Sequence, residues 1–142
     1  MFERILVAYD GSEGAKRALA KAGEIAKVAK AEIHVLTVGR IPEYAEAVRG
    51  AVDEAKGRAK AFYSKITEEV TVLLKEQGLS ARTRMEFGKP GDVILAVAEE
   101  LRADLLVMGT NPRSTLRRGF TGTTVDKVVE HAPCSVLLDM RP

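Results

Sequence analysis

There is no tryptophan in this 142-residue chain, aromatic residues make up 5% of it, and cysteine occurs once, at Cys134. Scarce aromatics leave few rings on which bases could stack, so a surface that reads RNA or single strands is disfavoured. A lone cysteine forms no intrachain disulfide and cannot build a thiolate metal cluster by itself. Excess charge of either sign is missing too: 22 Lys+Arg face 20 Asp+Glu, a formal net charge of +2. No global field draws the chain to nucleic acid or an anionic membrane, so partners must be argued from local sites. The longest apolar run, Leu105 to Met108 with its neighbours, is far short of a membrane span. Met1-Phe2-Glu3-Arg4 lacks the charged-then-apolar plan of a secretory signal, and the cytoplasm is the expected compartment.

What is present is a balanced globular composition, 46% hydrophobic and 30% charged, enough for one domain with one core over residues 1–142. Residues 4–9 form a short apolar run ended by Asp10-Gly11-Ser12, a buried strand entering a turn. From Ala15 to Ala29 apolar residues recur every three or four positions, with Ser12 placed as helix cap. Ile33 to Val38 is a second strand. Val48, Val52, Ala55, Ala59, Phe62, Ile66, Val70 and Leu73 then predict one long amphipathic helix over residues 45–78. That spacing also suits a coiled-coil seam, but flanking strands and Gly57 favour core packing. Ala81 to Phe87 reads as a third strand, and Gly88-Lys89-Pro90-Gly91-Asp92 introduces a helix. Asp104 to Met108 is the fourth strand; a loop from Gly109 to Thr121 precedes a helix from Gly122 to His131, with Val125, Val128 and Val129 inward. Ser135 to Leu138 is the last strand. Strands alternating with helices imply an α/β fold, a single five-stranded parallel sheet with helices on both faces.

In such a sheet, ligands bind beyond the carboxyl ends of the strands where strand order reverses. Those ends carry Ala8-Tyr9-Asp10, Val38-Gly39, Phe87-Gly88 and Met108-Gly109. The stretch from Gly109 to Thr124 joins helix-start glycines, Gly119 and Gly122, to the hydroxyls of Thr123 and Thr124 and to Arg113, Arg117 and Arg118. Free N–H groups and the dipole at a helix start, with hydroxyls beside them, favour an anion such as phosphate. A solvated loop face is the competing reading of the arginines. The stretch lacks the lysine and spacing of a P-loop.

These features together resemble the universal stress protein family over nearly the whole chain. The resemblance is carried by Ile5 to Ser12, Gly88-Lys89-Pro90, Ala103 to Thr110, and Ala132 to Leu138. It implies a Rossmann-like fold of the adenine nucleotide alpha hydrolase kind. ATP-binding members show Gly, two residues, Gly, nine residues, then Gly-Ser or Gly-Thr. Gly109 and Gly122-Thr123 hold the outer positions here, and Pro112 stands where the middle glycine belongs. Proline has no N–H to donate and fixes φ near −65°. The resemblance further implies that Asp10 sits by ribose or adenine, that Val38 offers backbone contacts to adenine, and that Ala8, Met108 and Gly109 line the pocket. Gly119, Gly122, Thr123 and Thr124 would take the phosphates, with Asn111 and Arg113 replacing the donor lost at Pro112.

Two functions follow. One is a regulatory protein binding ATP or a related adenine nucleotide, with Mg²⁺ arriving only with ATP and hydrolysis at most slow. The other is a nucleotide-independent dimeric interaction module that lost binding through Pro112. Both imply a homodimer through the Val136, Leu137 and Leu138 strand, whose exposed edge would otherwise invite aggregation. Nucleic-acid binding through the loop arginines ranks last. Other chemistry has little support. A phosphoacceptor site would need an Asp ending the third strand, where Phe87-Gly88 stands; Cys134 and His131 lack an orienting acid, and His34 within a strand reads as packed.

Overall fold

A computed structural model describes residues 1–41, 43–110 and 122–140. Its strands are β1 (Arg4–Ala8), β2 (Glu32–Gly39), β3 (Arg82–Phe87), β4 (Leu105–Gly109) and β5 (Ser135–Asp139). The α-helices are α1 (Glu13–Ala29), α2 (Ala51–Lys75), α3 (Pro90–Leu101) and α4 (Gly122–His131), with a short 3-10 helix at Glu43–Ala47. The sheet order is β3-β2-β1-β4-β5, and every pairing is parallel. Strand order therefore reverses between β1 and β4.

Side-chain alternation divides the core into two layers. Ile5 and Val7 of β1 and Tyr9 just after it, with Leu105 and Val107 of β4, join Ala15, Ala18, Leu19 and Ala22 of α1 and Ile66, Val70 and Leu74 of α2. Leu6, Ala8, Leu36, Leu106 and Met108 point the other way, onto Ile94, Val97 and Ala98 of α3 and Val128 of α4. Burial on both faces explains why the central strands read as unbroken apolar runs.

Local signals fix the helix ends. The Ser12 hydroxyl accepts the Ala15 N–H at 3.1 Å, capping α1. Pro90 opens α3, where its missing N–H costs nothing. Lys30 and Arg102 close α1 and α3 in the left-handed conformation, at φ 57° and 52°. The expected single helix over 45–78 is corrected. Gly50, at φ +80°, interrupts it, so α2 begins at Ala51 and Val48 is 54% exposed. Val129, expected inward on α4, is 51% exposed, because Val128 takes the buried position. Among the described residues, no helix is long and apolar enough to cross a membrane.

Asp104 ties the N-terminus to the sheet. Its carboxylate accepts the N–H groups of Glu3 and Arg4 at 2.8 and 3.0 Å. Burial pushes this carboxyl up, but these backbone bonds outweigh it and hold the group below its ordinary value of 3.8. A depressed folded value means the stabilisation is complete above the unfolded pKa and is lost as pH falls through the folded one. Asp104→Ala should cost about 1 kcal/mol at neutral pH, since the pair is reached by solvent. Urea denaturation at pH 7 and pH 3 checks this: the difference from wild type should shrink at the lower pH, and an equal difference at both contradicts it.

Candidate functional site

The reversal of strand order opens a crevice beyond the ends of β1 and β4, and the chain turns sharply there. After β1, Asp10 folds back so that its carboxylate accepts the Ser12 N–H at 2.9 Å, while Gly11 takes φ +83°. This small turn delivers the chain into the first turn of α1. Asp10 thus serves as a turn former through one of its two carboxylate oxygens.

On β2, Leu36 makes the last backbone rung to this side, its carbonyl accepting the Tyr9 N–H at 2.9 Å. Backbone polar groups alternate sides along a parallel strand, so Val38 turns its N–H and C=O toward β1 beyond that rung. The Thr37 hydroxyl donates to the Tyr9 carbonyl at 3.1 Å and fixes the two strand ends together. Tyr9 itself is fully buried, and its hydroxyl donates to Glu69 at 2.9 Å. Burial, and then that carboxylate, push the phenol well above its ordinary range, so it stays protonated.

Two glycines control the β4 side. A Cβ on Gly109 would lie 2.1 Å from the Gly14 carbonyl oxygen, and one on Gly14 would lie 3.1 Å from the Thr110 carbonyl oxygen. The first turn of α1 is therefore pressed directly on the end of β4. Gly109 is glycine for this backbone approach, whatever else it does. Beside it the Thr110 hydroxyl is buried and has no hydrogen-bond partner among the described residues. Such a group is costly unless something supplies a partner.

The sequence-predicted residues are distributed as follows. Asp10, Val38 and Gly109 stand at the carboxyl ends of the adjacent strands β1, β2 and β4. Ala8 and Met108 are fully buried in the layer beneath those strand ends, packed with α3 and α4. Gly122 starts α4; Thr124 is buried and Thr123 exposed on its first turn. Asn111, Pro112, Arg113, Arg117, Arg118 and Gly119 lie outside the described residues. Sequence reasoning included Thr110 in the Ala103 to Thr110 stretch but gave its hydroxyl no role of its own.

Of the groups weighed for other chemistry, His34 is buried on β2, 8% exposed. The Cys134 thiol is pushed up by burial and then by Asp104, which keeps it protonated and poorly nucleophilic. Among the described residues no His, Cys, Asp and Glu cluster could hold a metal ion.

A sequence profile described as the universal stress protein family matches residues 1–139. The chain belongs to the universal stress protein family. A universal stress protein of Thermus aquaticus is 36% identical, with 97% of this chain and 98% of that one covered. A universal stress protein solved in complex with cAMP is 28% identical, covers 96% of both chains and superposes with a TM-score of 0.73. The hypothetical protein MJ0577 shares the fold at a TM-score of 0.84 and 22% identity, over 100% of this chain and 98% of that one. The parallel sheet with its crevice is the adenine nucleotide alpha hydrolase-like architecture of universal stress proteins.

The crevice has groups suited to an adenine nucleotide. A backbone N–H and C=O at Val38 can pair with the edge of a base, and beside Gly109 the buried Thr110 hydroxyl has unused hydrogen-bonding capacity among the described residues.

Proposed function

We propose that this universal stress protein binds an adenine nucleotide in the crevice between β1 and β4 and acts as a nucleotide-dependent regulatory protein. The observation that carries the reading is the cAMP complex of the relative 28% identical over 96% of both chains, taken with the Thr110 hydroxyl at the end of β4, buried and without a partner among the described residues. Val38 would receive adenine through its backbone, and Asp10 would meet the ribose. Ala8 and Met108 form the floor, and Gly109 leads to the phosphates. The first turn of α4, Gly122 to Thr124, would hold the phosphates by its N–H groups and dipole. Asn111, Arg113 and Gly119 complete that role in the same reading, with ATP as the full-length ligand and Mg²⁺ carried by its phosphates. The protein would act in the cytoplasm as a homodimer, paired through Val136, Leu137 and Leu138 of the edge strand β5.

A thermal-shift series tests ligand class. ATP, AMP and cAMP at 100 times their dissociation constants should each stabilise the fold by about 2.7 kcal/mol, while GTP at the same concentrations should not. Equal shifts with guanine nucleotides would remove adenine recognition from the account. Pro112 supports a second reading, a dimeric module that works without nucleotide. That reading expects no shift with any of them.

A further inference from the structure

The last residue of β5 is built into the crevice as well as into the sheet edge. Gly109 of β4 pairs with Asp139 of β5, and the Thr110 N–H donates to the Asp139 carbonyl at 3.0 Å. The Asp139 carboxylate, only 11% exposed, accepts from the Arg17 guanidinium at 3.1 Å and lies 3.8 Å from the Lys21 ammonium. Both cations stand on α1, the helix whose first turn presses on Gly109 through Gly14. Asp139 therefore ties its own strand to two neighbours at one corner: its carbonyl fixes Thr110 at the end of β4, whose hydroxyl has no partner among the described residues, and its carboxylate fixes α1. Its own strand, five residues long, forms one edge of the sheet.

We propose that Asp139 is a positioning residue that couples nucleotide occupancy of the crevice to pairing of the β5 edge with a second copy of the chain. This rests on the nucleotide reading above and adds its regulation. The physical argument is shared ordering. A ligand bonded to Thr110 immobilises the end of β4, and the Thr110–Asp139 bond and the Arg17 pair pass that restraint to the end of β5. An edge strand held extended to its last residue has already lost the freedom that pairing would remove, so the second event costs less. In a strand this short, one frayed residue is a large part of the pairing surface. The coupling must be reciprocal, with dimer formation tightening nucleotide binding by the same factor that nucleotide tightens the dimer.

The test is sedimentation velocity over a dilution series with and without saturating ATP and Mg²⁺, for wild type, Asp139→Asn and Arg17→Gln. D139N keeps the backbone carbonyl that Thr110 uses and removes only the charged anchor; R17Q removes the anchor from the other side. In wild type, ATP should strengthen the dimer about tenfold, and ATP affinity should rise by the same factor between dilute and concentrated protein. In both variants the two events should persist with the coupling reduced to less than twofold, and Arg17→Lys should restore part of it. Thermal melts establish that each variant is folded. Wild type that binds ATP and dimerises with no mutual effect overturns the coupling and leaves the nucleotide reading intact. Undiminished coupling in both folded variants overturns the role of Asp139. Wild type that binds no ATP overturns the nucleotide reading and the coupling with it.

Discussion

Gly109→Ala is expected to destabilise the protein by on the order of 3 kcal/mol or more, lowering the melting temperature by roughly 10 °C. The added methyl would sit 2.1 Å from the Gly14 carbonyl oxygen and 2.9 Å from the Ala15 nitrogen. Both are backbone atoms of the first turn of α1, so no rotamer change can relieve the overlap. Either α1 moves off the sheet, opening the layer that holds Ala15, Ala18 and Leu19, or β4 bends away from its register. Gly57→Ala is the matched control. Gly57 lies inside α2 with nothing within 4 Å of the position a Cβ would take. Alanine there should stabilise the helix by about 0.5–1 kcal/mol. Circular-dichroism melts of the two variants should move in opposite directions. A Gly109→Ala protein that melts like wild type would show that α1 does not rest on β4 as described. The comparison also separates two uses of one glycine, since a purely ligand-facing Gly109 would lose binding and keep its stability.

Gly122→Leu is expected to do the reverse. Gly122 is the first residue of α4, where leucine is a better helix former than glycine, so the fold should hold. A phosphate seated on the N–H groups of that turn needs close approach to the backbone, and a side chain at the helix start obstructs it. Affinity for ATP should fall at least about 100-fold, equivalent to about 2.7 kcal/mol, with a melting temperature near that of wild type. Calorimetry on the variant checks this. Unchanged affinity would remove the start of α4 from the binding site.

How much of this was legible in the chain depends on the range over which each signal acts. The central strands announce themselves as apolar runs because the sheet is covered on both faces, whereas β3 at the edge shows only a weak alternation. Ser12 and Pro90 announce the helix starts because capping is a local transaction between neighbours. The break at Gly50 was hidden, since Val48 keeps the three-four rhythm of α2 while facing solvent. Val129 was misplaced for a related reason: a short helix at the end of the sheet buries a narrow stripe, and Val128 fills it. The candidate site was read mostly from resemblance and from the rule that ligands bind where strand order reverses. The contacts that shape the crevice could not be read at all. Gly14 against Gly109, Arg17 on Asp139, and Asp104 on the N–H groups of Glu3 and Arg4 each join segments distant in sequence. Glycine, arginine and aspartate at those positions have ordinary local explanations, and only the fold reveals which partner each one meets.

The most direct measurement is a calorimetric titration of the purified wild-type chain, stripped of nucleotide, with ATP and Mg²⁺, together with analysis of the denatured supernatant for nucleotide carried through purification. Saturable binding at one site per chain, or adenine nucleotide released on denaturation, is the predicted result. A folded protein that releases no nucleotide and gives no binding heat at any ATP concentration would contradict it, leaving the crevice to a module that works without nucleotide.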